Sequence, residues 1–283
     1  MRTLRLLAAS VRDLGLGATL RGLPQYVLWS RTVRRLKRRK LDELSRDGFD
    51  ALHGTDTAAV LVGRELGPAV TRGGHLVVYY ETTSVAAISM PLDGLGIDFS
   101  AFVFIDLGCG KGKPLMVASA YPFRRLIGVD ISPACIAVAR RNIAGFGPER
   151  IDPSRVELLV QEAEDFQFPG EPLVIYLYNP FPAAVLERVV AKLEASLRER
   201  PRQVVIVYVN PHALSAIARS ELFERRLTIA DRMPSAAQGL APHERAAVFV
   251  TRAGVAGRLP DGDLVTGREH GRVGAAPERR GVL

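Results

Sequence analysis

A glycine-rich turn between a predicted strand and a predicted helix constrains the fold most strongly. Residues 104–114 read FIDLGCGKGKP, so an apolar run leads into three alternate glycines, Gly108, Gly110 and Gly112. Glycine is needed where φ is positive or where a ligand presses against the backbone. Pro114 suits the first turn of a helix, and the free amides there suit a carboxylate. The segment therefore predicts a strand, a ligand-binding turn and a helix in succession.

Short β-branched runs recur along the chain from this point and alternate with helical periodicity. Continuous apolar runs are typical of parallel strands that are buried on both faces, which predicts a doubly wound α/β sheet. A helix is expected to begin at Ser132 and to end at Gly145 or Gly147, and a second one, with a core-facing stripe, follows residue 182. The predicted strands cover residues 102–108, 125–131, 156–161, 172–178 and 203–209, with a closing pair at 223–233 and 246–252.

Charge and cysteine usage limit the setting of the protein. The chain has 283 residues, 47% of them hydrophobic, and a net charge of +8. Seven of the ten residues in 31–40 are Lys or Arg, so this segment is a solvated helix face, a grip on nucleic acid or a contact with anionic membrane. Cys109 and Cys135 form no disulfide framework and no zinc-ligand spacing, and neither a signal peptide nor a transmembrane segment is predicted. We expect a cytoplasmic protein.

Composition divides the chain into three parts. Residues 1–75 are expected to form a basic helical N-terminal cap, and residues 76–252 the main domain. Residues 253–283 are rich in Gly, Arg and Pro and are expected to be a disordered tail.

Two acidic residues follow the first two predicted strands. Asp106 ends the strand before the glycines, and Asp130 ends the next strand, 20 residues after Gly110. Ligands bind at the carboxyl ends of strands in such sheets, and an acid at this spacing accepts hydrogen bonds from ribose hydroxyls. A carboxylate at Asp106 would repel a pyrophosphate but suit an ammonium group, which favours S-adenosylmethionine over NAD as the ligand.

With these features the chain resembles the class I S-adenosylmethionine-dependent methyltransferases over roughly residues 79–252. The resemblance implies a Rossmann-like, seven-stranded, mostly parallel sheet with a reversed edge strand. It also implies that Asp106 and the three glycines hold the methionine and ribose, and that Asp130 binds the ribose. By the same resemblance, Glu162 or Ala163 after the third strand contacts the adenine.

The fourth predicted strand ends in Asn179-Pro180-Phe181. This turn resembles a shortened form of the Asn-Pro-Pro-aromatic motif of amino methyltransferases, which implies that the three residues are catalytic. Carbonyl oxygens of Asn179 and Pro180 can accept hydrogens from an amine, and the Phe181 ring can favour a cationic product. An ordinary strand-ending turn explains the same residues, and the similar segment VNPH, which includes His212, shares both interpretations.

A weaker resemblance lies upstream, where Tyr79-Tyr80-Glu81-Thr82 is similar to the cofactor-covering segment of DOT1-like protein lysine methyltransferases. It implies that Glu81 faces the methionine ammonium and that Tyr79 or Tyr80 walls the methyl channel. A plain edge strand explains these letters equally well. His53, near Asp50 and Asp56, is expected to be a surface residue.

The expected activity is therefore methyl transfer from S-adenosylmethionine, with an amine of a protein lysine or a small molecule as the first acceptor. A small-molecule O-methyltransferase and an RNA methyltransferase are the alternatives. From other classes, an NAD-dependent oxidoreductase and a non-catalytic nucleotide-binding protein stay open. No metal is expected.

Overall fold

The structure is a computed structural model that describes residues 48–62, 79–226 and 245–256. The basic segment 31–40 and the tail beyond residue 256 lie outside the described residues. Within them, no helix is long and apolar enough to cross a membrane.

Seven strands form one sheet around a central strand, β3. The order is β5-β4-β3-β6-β7-β9-β8, and all neighbouring strands are parallel except where β9 pairs with β7 and with β8. The strands are β3 (Val103–Leu107), β4 (Arg125–Asp130), β5 (Val156–Val160), β6 (Leu173–Tyr178), β7 (Val204–Val209), β8 (Phe223–Arg226) and β9 (Ala246–Thr251).

The described helices pack on both faces of this sheet, because the strands alternate their buried side chains between two hydrophobic cores. Phe104 on β3 belongs to the core under α1 to α4, whereas Ile105 belongs to the core under α5 and α6. The helices are α1 (Phe49–His53), α2 (Val85–Asp93), α3 (Lys113–Ala118), α4 (Pro133–Phe146), α5 (Ala183–Glu199), α6 (Leu214–Ala218) and α7 (Ala253–Ala256).

The predicted doubly wound sheet is confirmed. Each predicted strand whose whole range is described differs from the observed strand by one residue, at one end or at both. The closing pair is also present, although residues 227–233 lie outside the described residues. One detail is wrong: the reversed strand β9 lies one position inside the edge, and β8 forms the edge. The helix α4 begins as predicted, since the Ser132 hydroxyl accepts from the amide of Cys135 at 3.2 Å.

The part of the expected N-terminal cap that the structure describes is not entirely helical. After α1 the chain forms β1 (Val60–Val62), which pairs antiparallel with β2 (Tyr79–Glu81) in a separate two-stranded sheet. The helical cap was expected because its apolar residues are interleaved with arginines. Pairing with β2 overrides that local pattern at Val60–Val62, as tertiary context commonly does.

Candidate active site

The site lies where the order of the strands reverses. From β3 the chain builds β4 and β5 on one side and then crosses to β6 on the other, so the crevice outside the carboxyl ends of β3 and β6 is the expected ligand site. The turns that follow these two strands touch, because a Cβ on Gly108 would lie 2.6 Å from the Pro180 Cβ. Two sequence motifs 72 residues apart therefore meet at this crevice.

The glycine turn adopts a conformation that only glycine takes readily. Gly108, Gly110 and Gly112 have φ values of 87°, 49° and 85°, all in the left-handed region. A side chain on Gly110 would overlap the ring of Tyr80, which lies against the turn. On Gly112, a Cβ would lie 3.2 Å from the Cβ of Ala139 on α4. Backbone geometry and close packing thus explain all three glycines.

Asp130 organises the glycine turn from the end of β4. Its Oδ2 accepts from the amide of Gly110 at 2.8 Å, and its Oδ1 accepts from the amide of Ser132 at 2.7 Å. Burial raises the pKa of the Asp130 carboxyl, although these two hydrogen bonds act in the opposite direction. Each carboxylate oxygen has a second lone pair, so Asp130 can still accept hydrogen bonds from a diol.

Asp106 is a buried carboxyl with an unsatisfied oxygen. Only 2% of the residue is exposed, and its Oδ2 has no hydrogen-bond partner. Burial, and secondarily the charge of Asp130, raises the pKa of Asp106 well above its ordinary value. A buried polar atom without a partner is costly, so its presence at a ligand crevice calls for a functional explanation. A cationic ligand group would supply the missing partner.

Glu81 reaches the same end of the sheet from β2. The Tyr178 hydroxyl at the end of β6 donates to Glu81 Oε1 at 3.3 Å. One residue along, the Tyr80 hydroxyl donates to the backbone oxygen of Thr57 at 2.9 Å. The tyrosine-rich segment is therefore a strand, as the edge-strand interpretation expects. It also lies beside the glycine turn, as the interpretation as a cofactor-covering segment expects.

The turn after β5 lies beside Asp130. The amide of Gln161 donates to the Asp130 backbone oxygen at 3.0 Å, which brings Glu162 and Ala163 to the same edge of the sheet. Ala163 is buried in the core under α5, whereas Glu162 is partly exposed. Of the two, Glu162 has the side chain that can reach a ligand.

Asn179 is held by the strand next to it. It adopts a left-handed conformation with φ 41°, its Oδ1 accepts from the Tyr208 hydroxyl at 3.0 Å, and its Nδ2 lies 3.0 Å from His212 Nδ1. Tyr208 also accepts from the amide of Ala213 at 3.3 Å, so its hydroxyl hydrogen is directed at Asn179. Phe181 is half-buried and packs on the core under α5. Sequence reasoning missed Tyr208, which looks like an ordinary strand residue.

A second group that sequence reasoning missed surrounds Lys111. The Lys111 ammonium lies 2.7 Å from Asp56 Oδ1, and Asn142 on α4 bonds to the backbones of both residues. His53 is not the surface residue that was expected. It is the last residue of α1 and lies four residues after Phe49, so both side chains are on the buried face of this helix. His53 is therefore buried between the rings of Phe49 and Phe146, at centroid distances of 4.6 and 4.8 Å.

Residues 104–200, about a third of the chain, match the family model described as a methyltransferase domain. The matched segment begins in β3 and ends just after α5, so it contains Asp106, the glycine turn, Asp130 and Asn179. These residues form a methyltransferase domain. Its cofactor is S-adenosylmethionine.

Solved methyltransferases are similar to the chain at low identity. An RNA methyltransferase from Salinibacter ruber, in complex with S-adenosyl-L-homocysteine, is 18% identical over 66% of this chain and 100% of that chain, with a TM-score of 0.40. Magnesium protoporphyrin IX methyltransferase from Synechocystis PCC 6803, with bound S-adenosylmethionine, is 14% identical over 59% and 76%, with a TM-score of 0.40. A putative rRNA methylase from Clostridium thermocellum is 13% identical over 61% and 97%, with a TM-score of 0.41. No curated protein matches the sequence significantly.

The residues of this methyltransferase site fit the cofactor. The unsatisfied Asp106 oxygen is complementary to the ammonium of the methionine end, and Asp130 retains acceptor capacity for a ribose diol. The left-handed glycines keep the turn free of side chains next to these carboxyls. S-adenosylmethionine supplies a methyl group that its sulfonium has already activated, so the protein must chiefly orient the acceptor and exclude water.

Proposed function

We propose that this methyltransferase methylates an amine nitrogen, either of a protein lysine or of a small molecule, with Asn179, Pro180 and Phe181 at the acceptor side. The observation that carries the proposal is the contact between Pro180 and Gly108, because it places the turn after β6 against the glycine turn. Asp106 and Glu81 would hold the methionine end, Asp130 the ribose, and Glu162 the adenine.

The chemistry of Asn179 supports an amine acceptor. Its Oδ1 accepts one hydrogen bond from Tyr208 and has a lone pair left for a further donor. The Pro180 backbone oxygen is a second acceptor on the same turn. Two carbonyl acceptors can align the hydrogens of an amine so that its lone pair is free to attack, and a neutral amine needs no base for that attack.

His212 favours a second candidate, a small-molecule hydroxyl. A hydroxyl acceptor needs a general base, and His212 is an exposed imidazole whose Nδ1 lies 3.0 Å from the Asn179 amide nitrogen. RNA is the third candidate and rests on the basic segment 31–40. A cytoplasmic location also belongs to the proposal, since Cys109 and Cys135 are free and buried.

Labelling with methyl-labelled S-adenosylmethionine tests the acceptor class. The protein is incubated with host lysate, and the label is measured in protein, nucleic-acid and small-molecule fractions, with Gly110→Val as the background control. We expect the label as N-methylamine in the protein or small-molecule fraction. Label on oxygen, or in the nucleic-acid fraction, would contradict the amine proposal and favour one of the other two candidates.

A further inference from the structure

Lys111 places a positive charge inside the glycine turn. The residue lies between Gly110 and Gly112, and only 6% of its side chain is exposed. Its ammonium is 2.7 Å from Asp56 Oδ1, whereas the Asp56 side chain is 66% exposed. A nearly buried ammonium is costly unless an opposite charge pairs with it. Asp56 therefore supplies the counter-charge that keeps Lys111 in this position.

Asn142 fixes the backbones that carry this ion pair. Its Oδ1 accepts from the amide of Asp56 at 2.9 Å, while its Nδ2 donates to the backbone oxygens of Asp56 at 3.2 Å and Lys111 at 2.9 Å. The residue is buried, so water competes poorly for these bonds. One side chain on α4 thus ties the segment around Asp56 to the glycine turn.

Asp50 shapes that segment from within. Its carboxylate accepts from the amides of Thr57 and Ala58 at 2.6 to 2.9 Å and from the hydroxyl of Thr55 at 2.6 Å. These bonds hold the pKa of Asp50 below its ordinary value against the effect of burial. Tyr80 then joins the segment to Gly110, since its hydroxyl donates to Thr57 and its ring lies against the glycine. We call Asp50–Ala58 together with Tyr80 the loop clamp.

The ion pair of Lys111 and Asp56 affects the affinity for a cationic ligand. S-adenosylmethionine has a zwitterionic methionine end and a sulfonium, so it carries one more positive charge than S-adenosylhomocysteine. An unneutralised lysine in the glycine turn would repel the first ligand more than the second. The charge of Lys111 is close to this turn, because its ammonium lies 6.0 Å from the centre of the Tyr80 ring and that ring packs against Gly110.

We propose that Asp56 is a positioning residue of the cofactor site, which neutralises Lys111 and thereby favours the cationic cofactor over its neutral product. The loop clamp holds Asp56 in place for this task. The role concerns affinity and discrimination between the two ligands, and it is independent of which acceptor the enzyme methylates.

Calorimetric titration of both ligands tests the proposal. Asp56→Asn keeps the size and an acceptor oxygen but removes the charge. We expect it to raise the Kd of S-adenosylmethionine about five- to tenfold and that of S-adenosylhomocysteine about twofold or less. Asp56→Glu, which retains the charge, should restore most of the discrimination. A Kd for S-adenosylmethionine within about twofold of wild type, or an equal loss for both ligands, overturns the proposal.

A double-mutant cycle guards against a merely structural effect. Lys111→Met removes the charge that Asp56 is proposed to neutralise, so Asp56→Asn should have almost no further effect on the ratio of the two Kd values in that background. The same shift in both backgrounds contradicts the proposal. Glu149→Gln is the matched control, because Glu149 is 62% exposed and pairs with Arg150 outside the site. Thermal unfolding of each variant verifies that it is folded.

Discussion

Pro180 occupies the space that a side chain on Gly108 would need. A Cβ on Gly108 would lie 2.6 Å from the Pro180 Cβ, and the φ angle of Gly108 is 87°. The contact links the turn after β3 to the turn after β6, so the glycine turn and the proposed acceptor turn pack closely against each other. A substitution in one turn should therefore disturb the packing of the other.

Gly108→Ala tests this fit. The substitution forces a left-handed alanine and a clash with a rigid proline ring, so it should lower the free energy of unfolding by about 2 to 4 kcal/mol. Urea denaturation measures the change. Gly145→Ala is the control, because Gly145 is a helical glycine on α4, and a Cβ there would have no packing neighbour within 4 Å among the described residues. That variant should gain up to about 1 kcal/mol. Equal effects of the two substitutions would contradict the contact.

Asn179→Ala tests the acceptor turn. Loss of the amide should lower kcat about ten- to hundredfold with an identified acceptor, while the Kd of S-adenosylmethionine stays within about twofold. Asn210→Ala is a close control, since Asn210 follows the neighbouring strand β7, precedes a proline and has φ 49°. It places alanine in the same strained left-handed conformation but should leave kcat nearly unchanged. A similar loss of kcat in both variants would assign Asn179 to the turn rather than to the acceptor.

The ionisation of Asp106 should make the ligand-free protein less stable as the pH rises. Burial raises its pKa in the folded chain, whereas in the unfolded chain the carboxyl titrates near about 3.9. Between these two values the folded chain binds more protons, so the free energy of unfolding falls with increasing pH. Below about pH 4 the carboxyl is protonated in both states, and the loss disappears.

Asp106→Asn separates this effect from that of other groups. Asparagine has the same shape and does not titrate, so the difference in urea midpoint between the variant and wild type should grow in favour of the variant from about pH 4 upward. The pKa of Asp130 is also raised by burial, but Asp130 is present in both proteins, so its contribution does not produce the difference between them. A difference that is constant with pH would contradict the raised pKa of Asp106.

Cofactor binding should release protons for the same reason. An ammonium next to Asp106 favours the ionised carboxylate and lowers its pKa. The observed binding enthalpy of wild type should therefore depend on the ionisation enthalpy of the buffer, and Asp106→Asn should reduce that dependence. Calorimetric titration in two buffers of different ionisation enthalpy makes the measurement. An equal dependence in both proteins would contradict a role for Asp106 in holding the ammonium.

The features that sequence reasoning found are those encoded locally. The glycines predict a left-handed turn, Asp130 ends its strand 20 residues after Gly110, and Ser132 caps the helix that begins after it. The reversed strand was expected at the edge of the sheet, and its position one strand inside the edge was missed, because strand order depends on contacts between distant segments. The resemblance to a known family supplied the reversed direction of one strand, which periodicity alone does not give.

The contacts that join distant segments had no signal in the sequence. Asp56 and Lys111 are 55 residues apart, and Asp56 sits in a polar stretch that looks like any exposed turn. His53 in the same stretch is buried because aromatic rings from two helices enclose it. Neither periodicity nor residue type predicts such pairings. Only the folded chain brings them together.

The central claim is that the glycine turn and Asp130 form the S-adenosylmethionine site, and calorimetric titration of this ligand tests it most directly. Wild type should bind S-adenosylmethionine. Gly110→Val, which pushes Tyr80 from the turn, and Asp130→Ala, which releases the amide of Gly110, should each weaken binding at least about tenfold while the variants remain folded. Unchanged affinity in both folded variants would contradict the account.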